Sequence, residues 1–125
     1  MKKKADSFDA LISDIKKFNL DRDWDQFHNP KDIFIALISE IGELAEYYRW
    51  LSREEIEELK DDPSKKEKLE EEIADIFLYL IMLSYKSDID IIKAIKHKIK
   101  KNETRYPISI IKGKHTNPLK GYKAK

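Results

Sequence analysis

The spacing of apolar residues most restricts the fold of this 125-residue chain, because it repeats every three or four residues almost throughout. Such a repeat is typical of amphipathic α-helices. The sequence contains neither Asn-Gly nor Asp-Gly, the dipeptides that most strongly indicate a β-hairpin, and only three Gly and four Pro interrupt it. We therefore predict an all-α domain, a helical bundle of four main helices.

Capping signals divide the chain into these helices. Asn29-Pro30 and Asp62-Pro63 each place a capping side chain before a Pro, which is favoured at the first helical position. The predicted main helices cover about residues 7–20, 30–50 and 63–85, and a fourth, capped by Asp88 or Asp90, continues to about 105. A short helix is predicted at about 53–60 and a loop or irregular turn at 21–28. Pro107 ends the last helix, so we predict a domain at 1–107 and a Lys-rich tail at 108–125.

The second half of the third main helix is apolar on nearly every side, over residues 76–83. A helix of this kind must be buried all round. A chain of this length builds only one core and can hardly cover such a helix alone. We therefore expect a homo-oligomer that uses this helix in its interface.

The composition excludes several classes of partner and site. The net charge is +1, so no overall field attracts nucleic acid or an anionic membrane. The longest apolar run has only eight residues, too few to span a bilayer. The absence of Cys excludes disulfides and thiolate metal sites. We expect a cytoplasmic protein that binds neither nucleic acid nor membrane.

Two pairs of acids at helical spacing are the strongest sign of chemistry. Glu40 and Glu43 lie three residues apart in the second main helix, as do Glu72 and Asp75 in the third. This spacing puts each pair on one helix face, beside apolar residues, where an ionised carboxylate is costly unless it is neutralised. Oxygen ligands suit Mg²⁺, Mn²⁺ or Ca²⁺, so we predict a cation site between the two helices. Pairing of these four acids with Lys or Arg remains the alternative.

Longer segments carry a family resemblance. They read DRDWDQFHNP at 21–30, EIGELAE at 40–46, RW at 49–50, EEIADIFLY at 71–79 and KNETRYP at 101–107. In this order and spacing they resemble MazG-like all-α nucleoside triphosphate pyrophosphatases, and within that family the dCTP pyrophosphatase branch. The resemblance covers about residues 7–107.

The resemblance implies a hydrolase that requires Mg²⁺, or Mn²⁺ in its place. The enzyme would cut the α–β phosphoanhydride of a nucleoside triphosphate, most similar to dCTP, and release the monophosphate and pyrophosphate. Its cellular role would be housekeeping of the nucleotide pool. The four acids, Glu40, Glu43, Glu72 and Asp75, would hold the metal and carry catalysis. The family also implies a dimer or tetramer.

The resemblance also implies substrate contacts. Trp24, Trp50 and Tyr79 would hold base and sugar. The triphosphate would meet residues at the end of the last main helix, namely Lys98, Asn102, Arg105 and Tyr106. One position departs from the dCTP branch, because Ile15 stands where a His that reaches the base is expected. We predict a structural hydrogen bond for His28, beside the Pro30 cap.

Two alternatives stay open at this point. One is a related pyrophosphohydrolase that acts on dUTP or phosphoribosyl-ATP. The other is a helical interaction domain without enzymatic activity, in which the four acids are only salt-bridge partners.

Overall fold

The computed structural model describes residues 7–114, and within this range the regular structure is entirely helical. The elements are α1 (Phe8–Asp21), a 3₁₀ turn (Asp25–Phe27), α2 (Pro30–Arg49), α3 (Arg53–Leu59), α4 (Pro63–Lys86), α5 (Ile91–Arg105) and α6 (Ile108–Ile111). The predicted all-α class is confirmed. None of the described helices combines the length and apolar character that crossing a membrane requires.

The helices begin where the sequence places their caps. Asn29 and Asp62 accept hydrogen bonds from backbone N–H groups in the first turns of α2 and α4, and a Pro follows each cap. Ser52 forms a reciprocal capping box at the start of α3. Asp90 caps α5, whereas Asp88 adopts a left-handed backbone conformation in the turn after α4. Local capping chemistry therefore accounts for the helix boundaries.

Two short elements were not predicted, the 3₁₀ turn and α6. Each is a single turn, too short for a periodic pattern of apolar residues to appear. Because α6 occupies residues 108–111, the segment predicted as a tail begins with a helix. Residues 115–125 of that predicted tail lie outside the described part of the chain.

The described chain divides into two compact units, the first ending at Asp88 and the second beginning at Ile89. In the first unit, α2 packs along α4 and α1 packs against α4. The core of this unit is a cluster of buried aliphatic side chains, contributed by Ile15, Ile33, Ile81 and Met82. The second unit contains α5 and α6.

An ion pair fixes the 3₁₀ turn to the end of α4. The Nζ atom of Lys86 lies 2.8 Å from Asp25 Oδ1 and donates a hydrogen bond of 3.4 Å to the Asp25 carbonyl oxygen. The Lys86 side chain is only 21% exposed, so solvent weakens this pair less than an ordinary surface pair. The turn carries Trp24 on one flank and His28 on the other, and the ion pair therefore helps to position both.

Candidate functional site

Three of the four predicted acids come together between α2 and α4. Glu40, Glu43 and Glu72 each place one carboxylate oxygen within 4.8 Å of the other two. The three-residue spacing of the first pair puts both side chains on one face of α2, and the packing of α2 along α4 brings up Glu72. Glu43 is exposed, whereas the other two are half-buried. We call these three residues the acidic cluster.

The acidic cluster carries negative charge that no ion pair among residues 7–114 neutralises. Burial raises the pKa of Glu40, and the negative charges of Glu43, Asp75 and Glu72 raise it further. The Oε2 atom of Glu72 is buried and has no hydrogen-bond partner among the described residues. None of the ion pairs in residues 7–114 involves any of the four acids. This donor set fits a hard divalent cation, which would satisfy the unpartnered oxygen and offset the repulsion.

Asp75 stands beside the acidic cluster and outside the group of three. It is exposed and lies one turn after Glu72 on α4. It is near enough for its charge to raise the pKa of Glu40. Asp75 also lines a cavity between α1 and α4, so it stands between the acidic cluster and that cavity.

One cavity of the first unit has a volume of about 490 Å³, and we call it the apolar cavity. Its walls come from α1, α4 and the two residues that flank the 3₁₀ turn. Its lining residues are Asp14, Ile15, Phe18, Asn19, Trp24, His28, Asp75, Leu78, Tyr79 and Met82. It thus contains two of the three aromatic residues predicted to hold base and sugar. The Trp24 ring packs edge-on against Phe18, with ring centroids 5.9 Å apart, which stabilises its position.

Trp50, the third predicted aromatic residue, does not line the apolar cavity. It follows α2, and its side chain is 71% exposed. Its Nε1 atom donates a hydrogen bond of 3.3 Å to Glu46, and the Arg49 guanidinium lies 4.6 Å from its ring centroid. A substrate contact by Trp50 stays a prediction.

The predicted triphosphate contacts belong to the second unit, whereas the four acids belong to the first. Lys98, Asn102 and Arg105 lie on α5 at intervals of four and three residues, so they share one helix face. Tyr106 follows α5, and its backbone N–H donates a hydrogen bond of 2.7 Å to the Asn102 carbonyl oxygen. The Arg105 guanidinium lies 5.4 Å from the Tyr106 ring centroid. Their contact with phosphate stays a prediction.

Sequence reasoning did not place Asp14, Asn19 or His28 in the apolar cavity. Asn19 is 4% exposed. Its burial could have been predicted, because it lies one turn after Ile15 on the apolar stripe of α1. His28 was predicted to make a structural hydrogen bond near Pro30. That prediction was wrong for its Nδ1 atom, which is buried without a partner among the described residues.

A smaller cavity of about 230 Å³ lies against the acidic cluster. Its lining residues are Glu43, Leu44, Tyr47, Lys68, Leu69 and Glu72. Lys68 precedes Glu72 by four residues, a spacing that already predicts neighbouring side chains on one face of a helix. Its side chain brings a positive charge to the wall of this cavity.

Comparisons with known proteins agree with this geometry. A family model described as the MazG-like family matches residues 35–117. A Bos taurus protein named dCTP pyrophosphatase 1 is 35% identical over 86% of this chain and 66% of its own length. The Homo sapiens protein of the same name is 34% identical over 79% of this chain and 61% of its own. The chain thus spans less than two thirds of the length of these curated relatives.

One similar solved structure is that of a pyrophosphatase from Archaeoglobus fulgidus. It superposes with a TM-score of 0.70 at 33% sequence identity. The superposition covers 86% of this chain and 98% of the archaeal one. The likeness therefore extends over nearly the whole of that protein.

Proposed function

The chain belongs to the MazG-like family, and we propose that it hydrolyses nucleoside triphosphates at the α–β phosphoanhydride, releasing a monophosphate and pyrophosphate. The family predicted from the sequence motifs is confirmed. The names of the relatives, dCTP pyrophosphatase 1 and pyrophosphatase, support this reaction. The observation that carries the proposal is the acidic cluster, with its unneutralised charge and the unpartnered oxygen of Glu72.

We assign a divalent cation, Mg²⁺ or Mn²⁺, to the acidic cluster. Glu40, Glu43 and Glu72 are placed to hold it, and Asp75 is adjacent and completes the predicted set of four ligands. When bound, such a cation neutralises phosphate charge and lowers the pKa of a coordinated water. The four carboxylates orient the ion and, by their own negative charge, repel a triphosphate that arrives without one.

We assign the base and sugar of the substrate to the apolar cavity. Trp24 and Tyr79 supply aromatic surface there, and stacking on an aromatic side chain contributes about 1–3 kcal/mol per base. Asp75 lines the same cavity and stands beside the acidic cluster. A nucleotide held in the cavity would thus extend its phosphates past Asp75 towards the cation. The names of the relatives favour dCTP as the substrate.

We assign the triphosphate to the predicted face of α5. Lys98 and Arg105 carry positive charges on that face, and Asn102 lies between them. A planar guanidinium suits two phosphate oxygens at once, which makes Arg105 the stronger anchor. Tyr106, beside Arg105, completes the predicted set.

We further propose that the chain forms a homo-oligomer, a dimer or tetramer. Large apolar side chains on both helices that carry the acids are exposed in the single chain, namely Phe34, Ile38 and Ile41 on α2 and Ile73, Phe77 and Leu80 on α4. A soluble monomer rarely exposes so much contiguous apolar surface, and a second copy would bury it. Sedimentation velocity at micromolar concentration tests this, and a monomer there would contradict it. Cytoplasmic housekeeping of nucleotides remains the predicted role.

The proposed reaction is tested by pyrophosphate release. The panel comprises the canonical dNTPs, dUTP and phosphoribosyl-ATP, each with Mg²⁺, Mn²⁺ or EDTA. Glu72→Gln should lower kcat/KM by roughly 100-fold or more, because it removes a charged ligand from the cluster. Glu70→Gln is the matched control, since Glu70 lies exposed on the same helix outside the cluster.

Two results would contradict the proposal. One is the absence of pyrophosphate from every nucleotide in the presence of either cation. That result would favour a non-enzymatic helical interaction domain. The other is a Glu72→Gln protein that binds Mg²⁺ and hydrolyses nucleotide as the parent does, which would remove Glu72 from the metal site and the acidic cluster from the centre of the proposal. Preference for dUTP or phosphoribosyl-ATP would keep the reaction and change the substrate.

A further inference from the structure

Asn19 is a buried amide in a largely hydrocarbon wall. It is 4% exposed, and its neighbours in the apolar cavity include Ile15 and Phe18 on the same helix. Its Nδ2 atom donates a hydrogen bond of 3.3 Å to the Tyr85 hydroxyl. An amide offers two donor hydrogens and one acceptor oxygen, so this single bond leaves most of its capacity unused. The rest of that capacity is available to a ligand in the cavity, which Asn19 lines.

The same cavity holds a second incomplete polar group. His28 follows the 3₁₀ turn, and its buried Nδ1 atom has no hydrogen-bond partner within the described residues. Asn19 and His28 thus bring polar side chains from separate elements to the lining of one apolar space. Trp24 and Tyr79 supply aromatic surface in the same space. A flat heteroaromatic ring with a polar edge matches this combination, since its faces can stack while its edge forms hydrogen bonds.

We propose that Asn19 reads the hydrogen-bonding edge of the nucleobase and is a specificity-determining residue of the enzyme. The inference rests on the proposed function and names the residue that selects the base. With Nδ2 directed to Tyr85, the Oδ1 atom remains as an acceptor without a protein partner among residues 7–114. An acceptor favours a base that presents an exocyclic amino group, as cytosine does, and disfavours uracil or thymine, which present a carbonyl oxygen there.

Tyr85 is the positioning residue in this arrangement. The Tyr85 hydroxyl accepts from Nδ2 and so holds the amide at the cavity wall. A hydroxyl can also donate, so this contact fixes the place of the amide rather than its direction. Tyr85 is on α4 and is not among the residues that line the cavity. It therefore acts on the base only through Asn19.

The test compares kcat/KM for dCTP and dUTP in the parent and three variants. The parent should favour dCTP. Asn19→Leu should lower the dCTP to dUTP ratio by roughly 10-fold or more, because the variant lacks the polar group that distinguishes the two bases. Tyr85→Phe should lower the ratio by a smaller factor. Ser84→Ala should keep the parental ratio, since the buried Ser84 hydroxyl donates to the Leu80 carbonyl oxygen on its own helix and Ser84 does not line the cavity. A ratio is insensitive to partial unfolding, which reduces both rates equally.

A parent without preference for dCTP over dUTP, or an Asn19→Leu variant with the parental ratio, would overturn the proposal. If the parent hydrolyses no nucleotide, the proposed function fails, and recognition of the base by Asn19 is then measured as binding. Calorimetric titration with dCMP and dUMP then decides. Tighter binding of dCMP that disappears in Asn19→Leu supports the role of Asn19, and equal or absent binding of the two overturns it.

Discussion

Neutralising Glu72 should stabilise the protein when no metal is present. One oxygen of each carboxylate in the acidic cluster lies within 4.8 Å of the other two. The Coulomb repulsion of two unit charges at that separation is about 0.9 kcal/mol in water and about 3.5 kcal/mol at an effective dielectric constant of 20. Because Glu43 is exposed and its two neighbours are only half-buried, the value near that of water applies. Glu72→Gln removes two such repulsions.

The new amide also contributes hydrogen bonds. Gln at this position can donate N–H groups to the carboxylates of Glu40 and Glu43, in a place where Glu72 Oε2 has no partner among the described residues. We therefore expect the free energy of unfolding in EDTA and low salt to rise by about 1–2 kcal/mol. For a domain of this size, each kcal/mol raises Tm by roughly 3–6 °C.

The assay is thermal unfolding in EDTA and in Mg²⁺. A cation at 100 times its Kd should stabilise the parent by about 2.7 kcal/mol, and Glu72→Gln should lose most of that gain. Glu70→Gln, which changes the same charge outside the cluster, should behave as the parent in both conditions. A Glu72→Gln protein that is less stable than the parent in EDTA would refute the reasoning, as would a parent whose Tm does not respond to Mg²⁺.

Three further outcomes follow from the first unit. The folded chain raises the pKa of Glu40 above its ordinary 4.5. The contribution of Glu40 to metal-free stability should therefore be full below pH 4.5 and decline as the pH rises through the raised pKa. Unfolding measured against pH should show this decline, and Mg²⁺ should reduce it. Asp75→Asn should lower turnover roughly 100-fold with an unchanged circular dichroism spectrum, since the residue is exposed, and normal turnover would remove it from the ligand set. Trp24→Leu should raise KM for the preferred nucleotide roughly 5- to 100-fold with a smaller change in kcat, and an unchanged KM would exclude stacking on this ring.

Local chemistry made the helices predictable. Asn29, Ser52 and Asp62 cap helices at the predicted positions because a capping side chain bonds to N–H groups only two or three residues away. The acidic cluster was predictable for a related reason. Glu40 and Glu72 lie at the edges of apolar stripes, and packing those stripes together brings the carboxylates to one place.

Contacts between distant segments were not predictable in the same way. The Asp25–Lys86 ion pair joins residues 61 positions apart, and the Asn19–Tyr85 hydrogen bond spans 66. Neither leaves a periodic trace in the sequence, so the apolar cavity and its polar groups stayed hidden. The turn at 25–27 and α6 at 108–111 were missed because one helical turn contains no repeat.

The position of bond cleavage is the most direct test of the proposed reaction. Phosphorus NMR of dCTP incubated with the protein and Mg²⁺ separates pyrophosphate from orthophosphate in one spectrum. The acidic cluster and the family predict equal amounts of dCMP and pyrophosphate, with formation of both lost in Glu72→Gln. Orthophosphate and dCDP as the primary products would contradict cleavage between the α and β phosphates.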